Sequence, residues 1–536
     1  MDFTQIFEND FKLIFPELFL ITAICFLLMY GVIYNSSTYY NKPLLIQNIN
    51  WFSIQIIFIT ILLIFNNPIS NIIILNKILI INDLTSMLKI LLLLSTGITL
   101  FISFNYIKNE QLKYFEYPIL ILLSIFGMLL MVSSYDFLTM YLAIELQSLC
   151  LYILATFKRN TQYSTEAGLK YFILGAFSSG ILLFGFSMIY GFTGLTNFHD
   201  FYLIFINLQF ISNISYNAII VGLIFIMVGL LFKLGAVPFH MWVPDVYEGS
   251  PTSTTAFFAL VPKVAVLGLF IRLFDFSFYT FIEQWQSMLI ISSISSMILA
   301  TLGALYQVKL KRLIAYSAIS HVGYILIGLL TGTPEGIQAS IMYIIIYIIM
   351  SINLFIILLN LSKESTHLIN VSNYTLVNKL QHYKINISTN ILNKNYTYFY
   401  YWKNIKYITD LNNLVKTEPI LAITLTIILF SIAGIPPLAG FFSKLYLFLT
   451  ALESSMYFIA IIGVVMSVVA AVYYIRLIKI MYFEKSNNIN KLVIYNHLNR
   501  ETSIILGITL LFILLFWIYP APLLISTHKI SLLLSL

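Results

Sequence analysis

The chain has 536 residues, of which 60% are hydrophobic, 16% aromatic and only 10% charged. Because a soluble domain carries about 25% charged residues, this composition predicts an integral membrane protein and excludes a water-soluble one. Lys and Arg number 29 against 22 Asp and Glu, a net charge of +7. The excess of basic residues reflects membrane topology, because these residues concentrate in loops on one side, as described below. A nucleic-acid-binding protein is excluded.

Apolar runs long enough to cross a hydrocarbon layer of about 30 Å recur along the whole chain. Fourteen spans are predicted, at 14–34, 48–65, 87–104, 118–134, 136–157, 168–192, 217–240, 254–275, 285–305, 313–331, 335–360, 418–451, 455–480 and 503–526. The twelfth is interrupted. The sequence therefore predicts an all-α polytopic membrane protein with about fourteen transmembrane helices.

Basic residues concentrate in the loops that follow odd-numbered spans. These are Lys42, Lys108, Lys113, Lys158, Arg159, Lys309, Lys311 and Arg312. The loops after even-numbered spans contain almost no basic residue beyond Lys77. By the positive-inside rule the odd loops face the cytoplasm or matrix, and both termini lie on the opposite side.

Two connections are unusual. The loop after span 2 reads NIIILNKILIIND, which is compatible with a short hairpin at the outer surface or with an extra interfacial stretch. The segment Leu361–Lys416 contains no glycine and no run that could span. It is predicted to be an insertion on the basic side, either poorly ordered or packed on a neighbour.

Several ionisable residues lie inside predicted spans, where each costs about 2.5–3.5 kcal/mol. Glu145, Lys233, Lys263 and Lys444 occupy four different spans. A single ion pair or a lysine extending to the interface would explain one of them, but the joint cost, on the order of 10 kcal/mol, favours a functional set. For His321 alone, a neutral imidazole bonded to a backbone carbonyl is the cheaper explanation.

Glycine and proline interrupt spans 7 and 12. The residues concerned are Gly235 and Pro238, then Gly434, Pro436 and Pro437. Irregular backbone inside a membrane is tolerated only where protein or water satisfies it, so each break predicts a polar pocket beside a lysine. The breaks lie five spans apart, and an odd number of spans inverts the orientation of equivalent elements, as in inverted-repeat transporters.

Long motifs identify a family. They are TEAGLKYFILGAFSSGILLFG at 165–185, LGAVPFHMWVPDVYEGSPT at 234–252, KRLIAYSAISHVGY at 311–324 and AGIPPLAGFFSK at 433–444. The chain resembles the antiporter-like membrane-arm subunits of respiratory complex I, the proton-pumping NADH:ubiquinone oxidoreductase. The first and the last of these motifs most resemble the mitochondrial form.

The resemblance implies a single antiporter-like membrane domain, 1–536, with broken helices 7 and 12. Its inverted repeats would be spans 4–8 (118–275) and spans 9–13 (285–480), the second interrupted by the insertion 361–416. The family usually has a short connection there, so the insertion is a departure that puts the matrix-side contacts in doubt.

Family roles fall on four residues of this sequence. The resemblance implies that Glu145 and Lys233 form a coupled acid–base pair, that Lys263 is the central relay, and that Lys444 is the proton-loading or exit lysine. His321 is added as a candidate for proton translocation. No residue is expected to catalyse a covalent step, because proton transfer between such groups requires none.

The resemblance also implies that this chain acts as a subunit of an enzyme and has no redox centre of its own. The sequence contains no dinucleotide fingerprint, P-loop or cluster motif, and its two cysteines, Cys25 and Cys150, lack metal-ligand spacing. NADH, FMN, iron–sulfur clusters and ubiquinone are therefore assigned to partner subunits.

The expected partners are neighbouring antiporter-like and small membrane-arm subunits and lipids, cardiolipin among them. The expected location is the mitochondrial inner membrane, with both termini in the intermembrane space.

Three other functions compete with this assignment. A subunit of a cation/proton antiporter shares the broken helices and lysines and would show sodium-dependent exchange in isolation. A structural scaffold would not need four buried ionisable groups. A solute carrier would need polar groups shaped for a substrate, whereas these spans offer mainly Ser and Thr beyond the lysines.

Overall fold

The computed structural model describes residues 3–35, 46–67, 72–110, 115–206, 213–370, 387–388, 396–412, 414–484 and 498–535. The helices of the first half are α1 Phe3–Asn35, α2 Ile46–Phe65, α3 Asp83–Asn109, α4 Glu116–Ser133, α5 Phe137–Ala155, α6 Gln162–Thr193, α7 Phe198–Ile206, α8 Asn213–Leu234, α9 Trp242–Gly249 and α10 Thr252–Arg272. The helices of the second half are α11 Ile282–Leu305, α12 Leu310–Leu330, α13 Pro334–Asn360, α14 Leu414–Thr417, α15 Pro419–Ala433, α16 Ala439–Glu453, α17 Tyr457–Tyr482, α18 Arg500–Leu515 and α19 Ala521–Ser535.

The polytopic helical fold is confirmed. Among the described residues, twelve helices are individually long and apolar enough to cross a membrane. The other two predicted spans are each built from a pair of shorter helices, α15 with α16 and α18 with α19. The prediction of one continuous span at 503–526 is wrong, because α18 ends at Leu515 and α19 begins only after Pro520. Proline cannot donate a helical hydrogen bond and restricts the residue before it.

The described residues also contain two small sheets outside the spans. Strands β1 (Ile72–Ile74) and β2 (Leu79–Ile81) pair antiparallel, which confirms the hairpin after span 2. Strands β3 (Ser362–Asn370), β4 (Ile387–Ser388) and β5 (Tyr396–Asn404) form a sheet in the order β3-β5-β4.

The second sheet lies in the insertion 361–416, which the sequence predicted to be poorly ordered or packed on a neighbour. That prediction missed the strand preference of β5, YTYFYYWKN, whose aromatic residues favour extended backbone. The insertion's residues 371–386, 389–395 and 413 lie outside the described residues.

One face of the protein, which we call the hairpin face, brings together the loops after even-numbered spans and both ends of the chain. Lys77 of the hairpin pairs with Asp200 at 3.0 Å. The Leu75 N–H donates to the carboxylate of Asp10 at 3.2 Å. On the same face, Lys529 of α19 lies 3.3 Å from Asp83 at the start of α3.

The opposite face, which we call the basic-loop face, joins odd loops to one another. Lys158 forms an ion pair with Glu110, and Lys311 donates to the Ser250 carbonyl at 2.8 Å. The Leu310 N–H donates to the Lys406 carbonyl at 3.0 Å. The end of the insertion is therefore bonded to its own chain, and the predicted loop parity agrees with these contacts.

Helices α10, α12 and α13 form the centre of the bundle. Every residue of α10 is buried, and so is nearly every residue of α12 and α13. Mainly apolar side chains line this centre, as expected for helices that contact only other helices. An ionisable residue on α10 or α12 has to find its partners inside the protein.

Candidate functional site

The two helix breaks have the same backbone conformation. Gly235 and Gly434 both have left-handed φ angles, +74° and +91°. At the first break the Ala236 N–H donates to the Leu231 carbonyl at 3.0 Å, and at the second the Ile435 N–H donates to the Phe430 carbonyl at 3.1 Å. This six-to-one bond with a left-handed glycine is the Schellman motif, so both half-helices end in the same way.

Lys444 binds the end of the half-helix before its own break. Its Nζ donates to the carbonyls of Ile432 at 3.1 Å and Ala433 at 2.7 Å. These carbonyls belong to the last turn of α15, where no further helical N–H is available and the helix dipole is negative. The side chain is buried and its Nζ lies 5.1 Å from the ring centre of Tyr324. The break thus supplies the polar surroundings for this lysine.

Lys263 lies on the central helix α10. Its Nζ donates to the Ala318 carbonyl at 3.1 Å and to the Tyr347 hydroxyl at 3.3 Å, and lies 5.0 Å from the centre of the Tyr347 ring. No carboxylate among the described residues forms an ion pair with it. Its contacts therefore come from neutral groups on α12 and α13.

His321 lies between these two lysines. Its Nδ1 is 2.6 Å from the hydroxyl of Tyr343, so the expected backbone carbonyl partner is replaced by a phenol. Its ring centre lies 5.2 Å from that of Tyr347 and 6.2 Å from that of Tyr324. The same two rings lie beside the lysines, with the Tyr347 ring centre 5.0 Å from the Nζ of Lys263 and the Tyr324 ring centre 5.1 Å from the Nζ of Lys444. His321 and its tyrosines therefore fill the space between the two amines.

Lys233 and Glu145 lie on the side of Lys263 away from His321 and Lys444. Lys233 lies one residue before the last residue of α8, with its Nζ 5.9 Å from the centre of the Tyr152 ring. It shares with Lys263 the lining of a small internal cavity that can hold a water molecule. The cavity joins two lysines that lie on different helices.

Glu145 is within electrostatic reach of Lys233, but the two side chains do not form an ion pair in the part of the chain that the structure describes. One carboxylate oxygen of Glu145 is 3.5 Å from the Ser148 hydroxyl, and the other, Oε1, is buried without a hydrogen-bond partner. The carboxylate is thus placed near the lysine without contact.

We call Lys233, Lys263, His321 and Lys444 the lysine row. Phenols, carbonyls and one small cavity connect its members inside the bundle. Amines and an imidazole take up and release protons, and hydroxyls and water pass them on by hydrogen bonds. The arrangement can move protons laterally between helices without a covalent step.

A cluster of ion pairs holds the short helix α9 at the basic-loop face. Asp245 pairs with Lys170 at 2.8 Å and with Arg312 at 3.2 Å. Glu248 forms ion pairs with Arg312 and Lys309. The Lys309 ammonium donates a hydrogen bond to the Glu248 carboxylate, and this bond raises the pKa of Lys309. The cluster ties the segment after the first break to α6 and α12.

Sequence analysis missed three buried charged residues. Glu17 on α1 and Lys89 on α3 form an ion pair, and Arg272 donates to the Ser134 carbonyl at 2.8 Å. The cost of a charge inside an apolar run would have identified all three. Lys89 and Arg272 were passed over because they lie near the ends of their predicted spans, and Glu17 because it follows the acidic N-terminus. Among the described residues no group of His, Cys, Asp and Glu is placed to hold a metal ion.

Comparison with known proteins gives consistent matches. Residues 134–470 match the family described as NADH:quinone oxidoreductase/Mrp antiporter, TM. NADH-ubiquinone oxidoreductase chain 2 of Marchantia polymorpha is 48% identical over 99% of this chain and 100% of its own length. The Arabidopsis thaliana protein of the same name is 44% identical over 99% of each chain.

Among solved structures, a chain in respiratory complex I from Thermus thermophilus with bound aureothin has the same fold. The TM-score is 0.72 at 23% identity, covering 95% of this chain and 98% of that one. At this identity the likeness supports the fold alone.

Proposed function

We propose, since the chain belongs to the NADH:quinone oxidoreductase/Mrp antiporter family, that it is a membrane-arm subunit of mitochondrial respiratory complex I and translocates protons across the inner membrane. The observation that carries this proposal is the buried connection from Lys263 through Tyr347 and His321 to Lys444. Proton translocation is coupled in this enzyme class to NADH oxidation and quinone reduction.

The roles that the resemblance implies for Glu145 and the lysine row are supported by their positions. Glu145 and Lys233 form the coupled pair at one end, Lys263 is the central relay, and Lys444 loads or releases protons at the other end. The pair acts by electrostatics without contact, which suits a carboxylate with one unpartnered oxygen. His321, hydrogen-bonded to the Tyr343 hydroxyl, takes part in proton translocation between Lys263 and Lys444.

The chain is one antiporter-like domain with inverted repeats at 118–275 and 285–480. The identical Schellman bonds at Gly235 and Gly434 support this division, because equivalent repeats are expected to end equivalent half-helices in the same way. Pro238, Pro436 and Pro437 prevent the helix from resuming at once.

The redox groups belong to partner subunits. NADH, FMN, iron–sulfur clusters and ubiquinone are bound elsewhere in the complex, and this chain contributes no redox centre. The basic-loop face lies in the matrix, and both termini face the intermembrane space. The basic and aromatic insertion, bonded near Lys406 to this face, binds a neighbouring subunit or anionic lipid such as cardiolipin.

Purification through a tag on this chain tests the assignment. The chain is expected to travel with NADH-oxidising subunits, and vesicles containing the purified complex are expected to take up protons only when NADH and a quinone are supplied. Recovery without NADH-oxidising activity, together with sodium-dependent proton exchange in isolated vesicles, would instead assign the chain to a cation/proton antiporter.

Replacing Lys233 with Ala is expected to lower NADH:ubiquinone turnover and proton translocation together in an assembled complex. Glu145→Gln is expected to act in the same direction, because it removes the negative charge near the lysine. In the double variant the two losses should fall short of their sum by on the order of 1 kcal/mol. Turnover and proton uptake in vesicles measure this, with the exposed Glu453→Gln as control. Additive losses would mean that the two residues are not coupled.

A further inference from the structure

The first and third spans are joined by a buried ion pair outside the lysine row. The Nζ of Lys89 lies 2.5 Å from Oε1 of Glu17, and the side chains are only 5% and 6% exposed. Well-packed apolar residues often stabilise a fold as well as a buried ion pair does, so stability alone gives little reason for this one.

The sequence around Lys89 fixes its depth. Asn82 begins α3 with a capping box, in which its side chain accepts from the Thr85 N–H at 3.0 Å and its own N–H donates to the Thr85 hydroxyl at 2.9 Å. Lys89 follows the cap by seven residues, about 10 Å along the helix. The next-door Leu88 contacts the central helix at Gly268. Helix α3 is therefore held in place on one side while Lys89 contacts α1.

The ion pair opens onto a cavity of about 210 Å³ at the hairpin face. Besides the ion pair itself, its polar lining consists of Asn67, Asn82, Asp83, Thr85 and Ser86. A cavity of this size and polarity holds several water molecules. The second carboxylate oxygen of Glu17, Oε2, is buried and has no hydrogen-bond partner in the described part of the chain. An acceptor is thus available beside the cavity.

The other charged groups near this cavity have partners of their own. Asp83 pairs with Lys529 at the rim, and Asp10 accepts from the hairpin backbone. On α10, which packs on α3, Lys263 donates to α12 and α13 and Arg272 donates to the Ser134 carbonyl. Lys89 is therefore the one cation paired with Glu17 among the described residues.

We propose that Glu17 and Lys89 form a second proton-binding site, outside the lysine row, which exchanges protons with water at the hairpin face through this cavity. An incoming proton binds Oε2 of Glu17, while Oε1 keeps its hydrogen bond from the Lys89 ammonium. Release returns the proton to the cavity. Neither helix has to move, and the site can be tested without NADH turnover.

Infrared difference spectra of the purified complex, recorded between a low and a high pH, test proton binding. Glu17→Gln is expected to remove a protonated-carboxyl band that the wild type and the exposed control Glu453→Gln retain. If the single variant does not assemble, Glu17→Gln combined with Lys89→Met removes both charges and is expected to fold. A band that persists without Glu17 overturns the site, and loss of assembly in both variants would assign the pair to structure alone.

Thiol labelling tests the route. Ser86→Cys, in a chain whose Cys25 and Cys150 are replaced by Ala, is expected to react with a charged methanethiosulfonate from the hairpin face of sealed vesicles. Ser124→Cys, at a fully buried position of α4, should remain unlabelled. Labelling of Ser86→Cys from the basic-loop face, or from neither face, refutes the route. Neither result of the labelling experiment affects proton translocation by the lysine row. The proposed proton-binding site and the proposed function can therefore fail separately.

Discussion

Replacement of Lys263 with Met is expected to abolish proton translocation and to slow NADH:ubiquinone turnover by on the order of a hundredfold, the lower end of what a positioned proton-transfer group contributes. The lysine lies at the centre of the row and donates to the Ala318 carbonyl and the Tyr347 hydroxyl. Methionine keeps an unbranched side chain in the same space but cannot carry a proton. Turnover and proton uptake in vesicles containing the assembled complex measure the effect.

Lys479→Met is the matched control, because this lysine is 65% exposed near the end of α17 and, among the described residues, pairs with Glu484 at the surface. It is expected to leave both activities near the wild-type level. An assembled Lys263→Met complex with a normal ratio of protons to electrons would contradict the central role of this lysine.

Gly440→Ala is expected to lower the stability of the membrane arm by about 3 kcal/mol, the upper part of the range for overpacking. A Cβ at this position would lie 1.8 Å from the carbonyl oxygen of Ser431, where the two halves of span 12 touch. The halves must therefore move apart, and Lys444 on α16 would lose its short contacts to Ile432 and Ala433. A lower melting temperature of the purified complex and reduced proton translocation should appear together.

Gly507→Ala on α18 provides the comparison, since a Cβ there meets nothing within 4 Å. This change is expected to leave the melting temperature unchanged or slightly higher, because Ala favours a helix over Gly. Equal melting temperatures for the two variants would mean that span 12 tolerates separation of its halves.

The sequence was sufficient for those parts of the fold that depend on local chemistry. Apolar length predicted the spans, and glycine followed by proline predicted where spans 7 and 12 break. Loop charge predicted which loops share a face, and the pairing of Lys77 with Asp200 agrees with it. Each of these signals resides in a few neighbouring residues.

Contacts between distant segments could not be predicted in the same way. Lys263 binds groups 55 and 84 residues away in sequence, and no local pattern indicates that Tyr347 lies beside it. The resemblance assigned Glu145 and Lys233 to a coupled pair, but it did not indicate that their side chains form no ion pair in the described part of the chain. The strand β5 and the helix end before Pro520 were missed, although aromatic residues and proline gave local signals for both.

The pairing of Lys529 with Asp83 also has a consequence for biogenesis. Synthesis proceeds from the N-terminus, so the third span has already been inserted long before its partner in α19 leaves the ribosome. Asp83 remains without that cation until almost the whole chain of 536 residues has been made. A nascent chain therefore lacks this contact between the third span and the end of the protein until α19 has been added, so the hairpin face is completed last.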